Sequence, residues 1–389
     1  MTSKWLKRTA VLLALCMTVG LAGCNREGEE ESSSDSSVET SDVVETTHKV
    51  GYIFHDSVEG NGFSGQMSEQ RIKASNRSSM ETCYIDNVSI SDFEKAVRAL
   101  VSEGCTEIVS GSAIYANMLD SIASKYMNIN FISYGSLYSP ANATSYNELS
   151  YEGAHVAGMV AAKNSDAQKI GVVCDTNLVY PVATINAAAL GMQLVFSSAT
   201  LYSAYATRDS EIEEAIDELL GRGCDVIICY TESQHSVDYC EQKGVKYIGS
   251  LDYSDSKDNY PNMLMYYCCR RDSYFLAQFK QMQLDTWMPE EYTGTMGNGI
   301  VYVSEALHDA KEGTQKIIDA LVPKITSGDA YIFKGELKDT NNTVKYMQND
   351  MMTDAEILAM DWYVLGVEHL GSFRKLLTDL PENTFEVKT

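Results

Sequence analysis

Two carboxylates and two imidazoles fall where a folded chain tends to place reactive groups. Asp56 follows the apolar run "KVGYIF", Asp252 follows "VKYIGSL", and His55 and His235 each stand alone in loops at run ends. A glycosidase would use two such carboxylates as acid and base, with their separation setting the outcome. Nothing in the spacing of Asp56 and Asp252 fixes that distance. A lone loop histidine is more often a hydrogen-bonded structural group than a catalytic one. "SGQMSEQ" contains no nucleophile elbow, and "VEGNGFSG" lacks the Gly-Lys-Ser/Thr ending of a phosphate loop. Beyond residue 24 the cysteines are Cys83, Cys105, Cys174, Cys224, Cys229, Cys240, Cys268 and Cys269. None are spaced as CxxC and no histidine lies at a ligand spacing, so neither zinc nor any other cofactor is expected. Those in runs such as "GCDVIICY" read as small buried thiols, and so many in an exported chain hint at a reducing habitat. The aromatic residues in or beside loops say more: Phe63, Tyr115, Tyr134, Tyr138, Tyr180, Tyr205 and Tyr230. Singly each could pack a lobe. Together they suit a pocket that stacks on a planar ligand, with polar loop residues at its edges.

The elements that must position these residues alternate from Lys49 onward. "KVGYIF" reads as a buried strand, followed by the turn "EGNGFSG" and a helix from near Gln66. "SDFEKAVRALVSEGC" has a Ser/Asp start, apolar spacing at Phe93, Val97 and Leu100, and a stop at Gly104, so it is a helix. The rhythm continues through "TEIVSGS", "NINFISYG", "KIGVVCD", "ATLYSAY", "DVIICY" and "VKYIGSL" as strands, with helical stretches between. Strands alternating with helices imply βαβ units and parallel sheets. Two such series separated near Asn142 predict two doubly wound lobes, with an eight-stranded barrel as the competitor. Against the barrel, "MLMYYCC", "GIVYV" and "DAYIFKG" are separated by irregular turns that suit returns between lobes. Open parallel sheets bind ligands beyond their carboxyl ends. Facing sheets would gather "HDSVEGNGFS", "SGSAIY", "YGSLYSPAN", "CDTNLVYP", "YTESQH" and "SLDYSDS" around one pocket.

The first residues give an address. Lys4, Lys7 and Arg8 precede an apolar run from about Ala10 to Ala22, too short to span a bilayer but fitting for a secretory signal over 1–23. Leu21-Ala22-Gly23-Cys24 resembles a lipobox, with Cys24 lipidated as the mature terminus. An ordinary signal peptide and a short membrane anchor are the alternatives. Residues 24–48 are acidic and without apolar periodicity, which predicts a disordered tether. The chain carries a formal charge of −24, and removing the basic signal leaves it more negative. Nucleic acid, which is bound through basic patches, is therefore not an expected partner. About 340 residues remain after the tether, enough for two lobes.

Several segments, in order, resemble the basic membrane protein family of ABC-transporter substrate-binding lipoproteins, near its Med-like, purine-binding branch. "NATSYNELSYEGAHVAGMVAA" is similar to the family's Asn–Tyr–Asn, Tyr–Glu–Gly and small-residue helix. "PVATINAAALGM", "GCDVIICYTES", "LDTWMPEEYTGTMGNGIVYV" and "YIFKGELKDTNN" with "LAMDWYVLGV" follow its later patterns. The resemblance implies a type I periplasmic-binding-protein-like fold, two lobes joined by a multi-strand hinge. Lobe 1 is expected over 49–145 plus about 263–298, and lobe 2 over 146–262 plus about 299–389. It implies a lipid-anchored, extracytoplasmic receptor, not an enzyme, that closes on a nucleobase or nucleoside, purine favoured, and presents it to ABC permease subunits. Position by position, Asn61, Phe63 and Ser64 match the first pocket loop, and Ser110 and Gly111 the loop after the third strand. Asn186 matches a helix-start asparagine, and Tyr230 and Glu232 a loop that often reads His–Thr–Asp. Phe63 and Tyr230 would sandwich the ring, with Asn61, Asn186, Glu232 and Asp252 at its edges. The family's aromatic after Asn–Ala is Ala188 here, and its strand-end tryptophan is Tyr205 or Ala206. Its Trp–Gly–Pro–Tyr–Tyr segment reads Arg271-Asp272-Ser273-Tyr274-Phe275, and Asp252 stands one place from the usual acid. An arginine at 271 could hold a carboxylate or phosphate bidentately, or only pair with Asp272 or a surface acid. A sensory lipoprotein that kept the fold and lost transport is the second reading, and a hydrolase using Asp56 and Asp252 the third.

Overall fold

The computed structural model describes residues 47–136, 139–371 and 387–389, so the expected signal, Cys24, most of the tether and Tyr138 lie outside the described residues. The chain first runs β1 (Lys49–Ile53), α1 (Phe63–Ser78), β2 (Glu81–Ile85), α2 (Phe93–Ser102), β3 (Glu107–Ser110), α3 (Ala116–Ala123), β4 (Asn130–Tyr134) and β5 (Ala143–Glu148). It then runs α4 (Tyr151–Asn164), β6 (Lys169–Cys174), α5 (Pro181–Val195), β7 (Thr200–Tyr205), α6 (Asp209–Gly221), β8 (Val226–Tyr230), α7 (His235–Lys243), β9 (Lys246–Gly249) and β10 (Met263–Cys269). Helix α8 (Asp272–Gln283) and β11 (Glu291–Gly294) return to the first lobe, before β12 (Val301–Val303) and α9 (Thr314–Thr326). A hairpin of β13 (Leu337–Lys338) and β14 (Val344–Tyr346), then α10 (Asp354–Leu358) and β15 (Val367–Leu370), follow.

Two sheets form, ordered β11-β5-β4-β3-β1-β2 and β12-β10-β9-β8-β6-β7-β15. Within them the strands pair in parallel, apart from the antiparallel β10–β12 edge. Two sheets, not one closed ring, dispose of the barrel. Each lobe winds alike, so the strand order reverses between β1 and β3 and again between β6 and β8, the places where such sheets form a binding crevice. Strands β3 and β8 are buried along their whole length, and β6 from Ile170 on, because helices cover both faces. That is why they read as unbroken apolar runs. Helix α2 turns Phe93, Val97 and Leu100 into the first lobe, as the spacing requires, each fully buried side chain contributing about 1.5–3 kcal/mol. In the second lobe α4 meets α5 through glycines. A Cβ on Gly158 would stand 1.9 Å from the Ala188 carbonyl oxygen, and one on Gly191 2.0 Å from that of His155. The small-residue run "YEGAHVAGMVAA" is thus a packing surface.

The chain passes between lobes after β5, between β10 and α8, and between β11 and β12, giving three crossings. The details differ from the sequence reading at four points. Helix α1 starts at Phe63 rather than Gln66, because Gly62 already ends the turn in an extended conformation. Residues from 263 were assigned to lobe 1, but β10 pairs with β9 in the second sheet, and the return begins only at α8. "DAYIFKG" forms no strand and contributes a single bridge between Lys334 and Met351. Strand β15, too short to announce itself, extends the second sheet alongside β7.

Candidate functional site

The carboxyl ends of the two sheets face each other across a cleft that holds two cavities, both reached by Phe63. The larger measures about 750 Å³ and is lined by the loops after β1, β6, β7 and β8. That volume suits a small-molecule site. The smaller is about 30 Å³, between Phe63, Tyr134, Tyr230, Tyr267 and Arg271. It has room for water and none for a ring.

Arg271 is what fills the aromatic end. It caps α8 at one crossing, is 4 % exposed, and donates from Nη2 to Glu148 Oε2 at 2.7 Å. Glu148 ends β5 at another crossing, so this ion pair ties two hinge segments together. The guanidinium also lies 4.6 Å from the Phe63 ring centroid and 5.7 Å from that of Tyr134, within cation–π range. The pairing acid is therefore neither Asp272 nor a surface group. Strand β5, "ATSYNE", is polar yet buried throughout, and its groups are satisfied one by one. Asn147 Nδ2 donates to the Ser136 carbonyl at 2.7 Å, and the Tyr146 hydroxyl donates to Glu148 Oε1 at 2.6 Å.

The larger cavity is acidic. Asp56 follows β1, Asp175 follows β6 and Glu232 follows β8. Burial, with the Asp56 charge adding to it, pushes the Asp175 carboxyl up to about 7. Asp175 Oδ1 nevertheless accepts from the Asn177 N–H at 2.8 Å and the Thr207 hydroxyl at 3.2 Å. Burial raises Glu232 well above the usual carboxylate range, and Asp175 and Asp56 add to the effect. Glu232 is 7 % exposed and its Oε1 has no hydrogen-bond partner. An acceptor without a donor costs about 1–3 kcal/mol, which a ligand hydroxyl or N–H would recover. Among the described residues no three His, Cys, Asp or Glu side chains are grouped to hold a metal ion.

The lobes touch directly at the mouth. The Phe63 N–H donates to the Glu232 carbonyl at 2.9 Å. Gln66 both donates to the Asp252 carbonyl (2.9 Å) and accepts from its N–H (2.8 Å). Asn61 donates to the same carbonyl at 3.4 Å, and Gln70 to that of Cys269 at 2.9 Å.

Of the residues singled out in the sequence, Asn61, Phe63, Ser64 and Glu232 line the larger cavity, and Phe63, Tyr230 and Arg271 the smaller. The Tyr230 hydroxyl is engaged by Ser150 Oγ (2.9 Å) and the Val179 carbonyl (3.1 Å). Asp252 lines a third recess beside Asn61, and its Oδ2 accepts from Arg270 Nε at 3.3 Å. Asp56 and Asp252 therefore do not share a cavity. Four more, besides Asp252, sit outside both cleft cavities. Ser110 is buried at the end of β3, and Gly111 packs on Phe54, where a Cβ would stand 2.8 Å from the ring. Asn186 is fully buried and holds the C-terminal segment, donating to the Trp362 carbonyl (2.8 Å) and accepting from the Val364 N–H (2.9 Å). Tyr205 shares a hydroxyl contact of 2.8 Å with Tyr363. Of the other described aromatic candidates, Tyr115 stacks on Phe93 at 4.3 Å and Tyr134 lines the smaller cavity. His55 bonds the Val88 carbonyl at 3.0 Å and His235 bonds Glu213 at 2.9 Å, so both have structural partners. Glu148, Gln66 and Asp175 went unnoticed, although Asp175 directly follows the apolar run "KIGVVC" and its place was readable.

Comparison with known proteins agrees with this geometry. The family model for PnrA-like ABC transporter substrate-binding proteins matches residues 47–331. A purine-binding protein of Brucella abortus (strain 2308) is 23% identical over 327 residues, covering 82% of this chain and 93% of its own. The chain superposes on a solute-binding protein of an ABC transporter system from Aeropyrum pernix K1 with TM-score 0.62 at 15% identity, over 75% of this chain and 93% of that one. A Conexibacter woesei DSM 14684 solute-binding protein gives TM-score 0.59 at 16% identity, over 73% and 97%. These neighbours share the type I periplasmic-binding-protein fold.

Proposed function

The chain belongs to the PnrA-like family of ABC transporter substrate-binding proteins, and from that premise we propose that it is a lipid-anchored receptor for a nucleobase or nucleoside, purine favoured. Proteins of this family bind small molecules outside the cytoplasm and serve ABC transporters. Among the described residues no helix is long and apolar enough to cross a membrane. Cys24 would supply the anchor and the acidic tether the reach to the permease. The observation that carries the ligand class is the pairing of Phe63 with three carboxylates across the 750 Å³ cavity. Phe63 offers a stacking face, while Asp56, Asp175 and Glu232 offer acceptors for ring N–H groups or sugar hydroxyls. The purine-binding relative supports the same class. Gln66 and the Phe63–Glu232 backbone bond favour the closed arrangement, which the permease would read. Mass spectrometry of the gently purified full chain tests the reading. A co-purifying nucleobase or nucleoside, lost in Phe63→Ala, is expected; another class of solute held in the cleft would overturn it.

A sensory lipoprotein of the same fold is the second reading. Arg271 already covers the Phe63 ring, as the loss of family aromatics at this end would require. That reading predicts a partner protein that binds one lobe arrangement, and no permease stimulated by the loaded chain.

A further inference from the structure

Two pairs of thiols lie in contact, one in each lobe, and neither lines the cleft cavities. Cys83 on β2 and Cys105, in the turn between α2 and β3, bring their sulfurs to 3.3 Å. Both flank β1 at one level. Gly51 pairs with Cys83 in the parallel register, and a Cβ on Gly51 would stand 3.0 Å from the Cys105 sulfur. A glycine on β1 is what leaves room for the two sulfurs to meet. In the other lobe Cys229 on β8 and Cys240 on α7 stand 3.7 Å apart.

The surroundings of the two pairs differ. Its hydrogen bond with Cys105 holds the Cys83 thiol below the usual range against the opposing effects of burial and the Glu103 charge, with Lys49 and Arg71 favouring the thiolate. Cys240 is pushed well above the usual range by burial and then by its partner Cys229, and the charge beside it is the acid Glu241. The thiolate is the species that attacks a disulfide, and Cys83 is the thiol held toward it, while the bond to Cys83 and burial raise Cys105, as burial and Cys229 raise Cys240. Access differs as well. Strand β2 is the last strand of its sheet, covered at Tyr84 only by a short bridge to Lys388, whereas β8 is central. Edges open locally at lower cost than sheet centres, which gives a small reagent a route to a sulfur that is buried on average.

We propose that Cys83 and Cys105 form a redox site that closes to a disulfide by exchange with a small-molecule disulfide, while Cys229 and Cys240 remain thiols. The Cys83 thiolate attacks one sulfur of the reagent and releases its other half as a thiolate. Cys105, giving its proton to solvent, then attacks the Cys83 sulfur of the mixed disulfide and displaces the second half. Two protein thiols are oxidised and one reagent disulfide is reduced to two thiols. The new bond joins the β2 edge to the end of α2 across 22 positions. Members of this family work outside the cytoplasm, where a disulfide can form and persist whenever the surroundings turn oxidising.

The test uses the full chain in detergent, incubated with oxidised glutathione, acid-quenched, denatured, alkylated and digested. The expected product is a Cys83–Cys105 peptide lighter by two hydrogens, with Cys229 and Cys240 recovered alkylated. The oxidised chain should melt about 5 °C above the reduced one, a shift absent in Cys83→Ser and kept in Cys229→Ser. Full alkylation of Cys83 and Cys105, or a Cys229–Cys240 bond formed as readily, would overturn the proposal. If Cys83→Ser does not fold, peptide mapping of the unaltered chain still decides it.

Discussion

The two cavities of the cleft share Phe63 and otherwise oppose each other. One is aromatic and closed by its own cation. The Arg271 guanidinium stacks on Phe63 and is neutralised by Glu148, leaving about 30 Å³. The other is acidic and open, with about 750 Å³ and an unpartnered oxygen on Glu232. The first pairs its cation with Glu148, leaving Arg271 Nε and the Tyr267 hydroxyl without partners, whereas the second leaves a carboxyl oxygen without a donor. A buried ion pair stabilises a hinge, whereas the buried Glu232 oxygen without a donor is held at a cost that a ligand can relieve. On the proposed function, recognition would fall on the carboxylate side of Phe63 and the hinge pair on the arginine side.

The harshest way to break this contrast is to remove the cation. Arg271→Met leaves Glu148 buried and uncompensated, and urea unfolding should show a loss of about 3–5 kcal/mol. Adding Glu148→Gln to that variant should recover much of it, because the stranded charge is gone. A loss under about 1 kcal/mol would mean that the pair does not close the aromatic cavity.

On the acidic side the expected sign is reversed. Burial raises the folded-state pKa of Asp175 to about 7 from the ordinary 3.8. Between those values the folded chain holds a proton that the unfolded chain has released, so stability falls as pH rises through that window. Asp175→Asn should therefore be more stable than the unaltered chain at pH 8 by about 2–4 kcal/mol, with the gap closing toward pH 4. A variant equally unstable at both pH values would contradict the assignment.

Smaller effects sharpen the picture at the mouth. Gln66→Ala removes both of its bonds to the Asp252 backbone, and should cost about 1–2 kcal/mol and increase the radius of gyration in X-ray scattering as the lobes part. Arg208, exposed at the rim and paired with Glu211, should matter least. Arg208→Ala is expected to change unfolding free energy by less than about 1 kcal/mol and to weaken with salt.

Much of the frame was legible because buried parallel strands announce themselves as apolar runs and α2 spaces its core residues at the helical period. The strand-end loops followed, and with them Asn61, Phe63, Ser64 and Glu232 at the larger cavity. Strand β5 was not legible, since "ATSYNE" is polar and no periodicity marks it as buried; the family motif marked the segment but not its strand. The Glu148–Arg271 pair spans 123 positions and depends on two crossings meeting, which local sequence does not encode. Asn186 and Tyr205 were read toward the cleft because their family positions lie there. Packing turns them instead to the segment around Met360–Val364, whose docking a single helix pattern cannot foretell.

Isothermal titration calorimetry of the full chain against purines, pyrimidines and their nucleosides tests the central claim most directly, with Glu232→Gln alongside. The account predicts heat from at least one purine or purine nucleoside and an affinity lower by about tenfold in Glu232→Gln, the worth of one hydrogen bond. Binding of a purine undiminished in Glu232→Gln, or no heat from any member with the protein folded and free of carried-over solute, would contradict it.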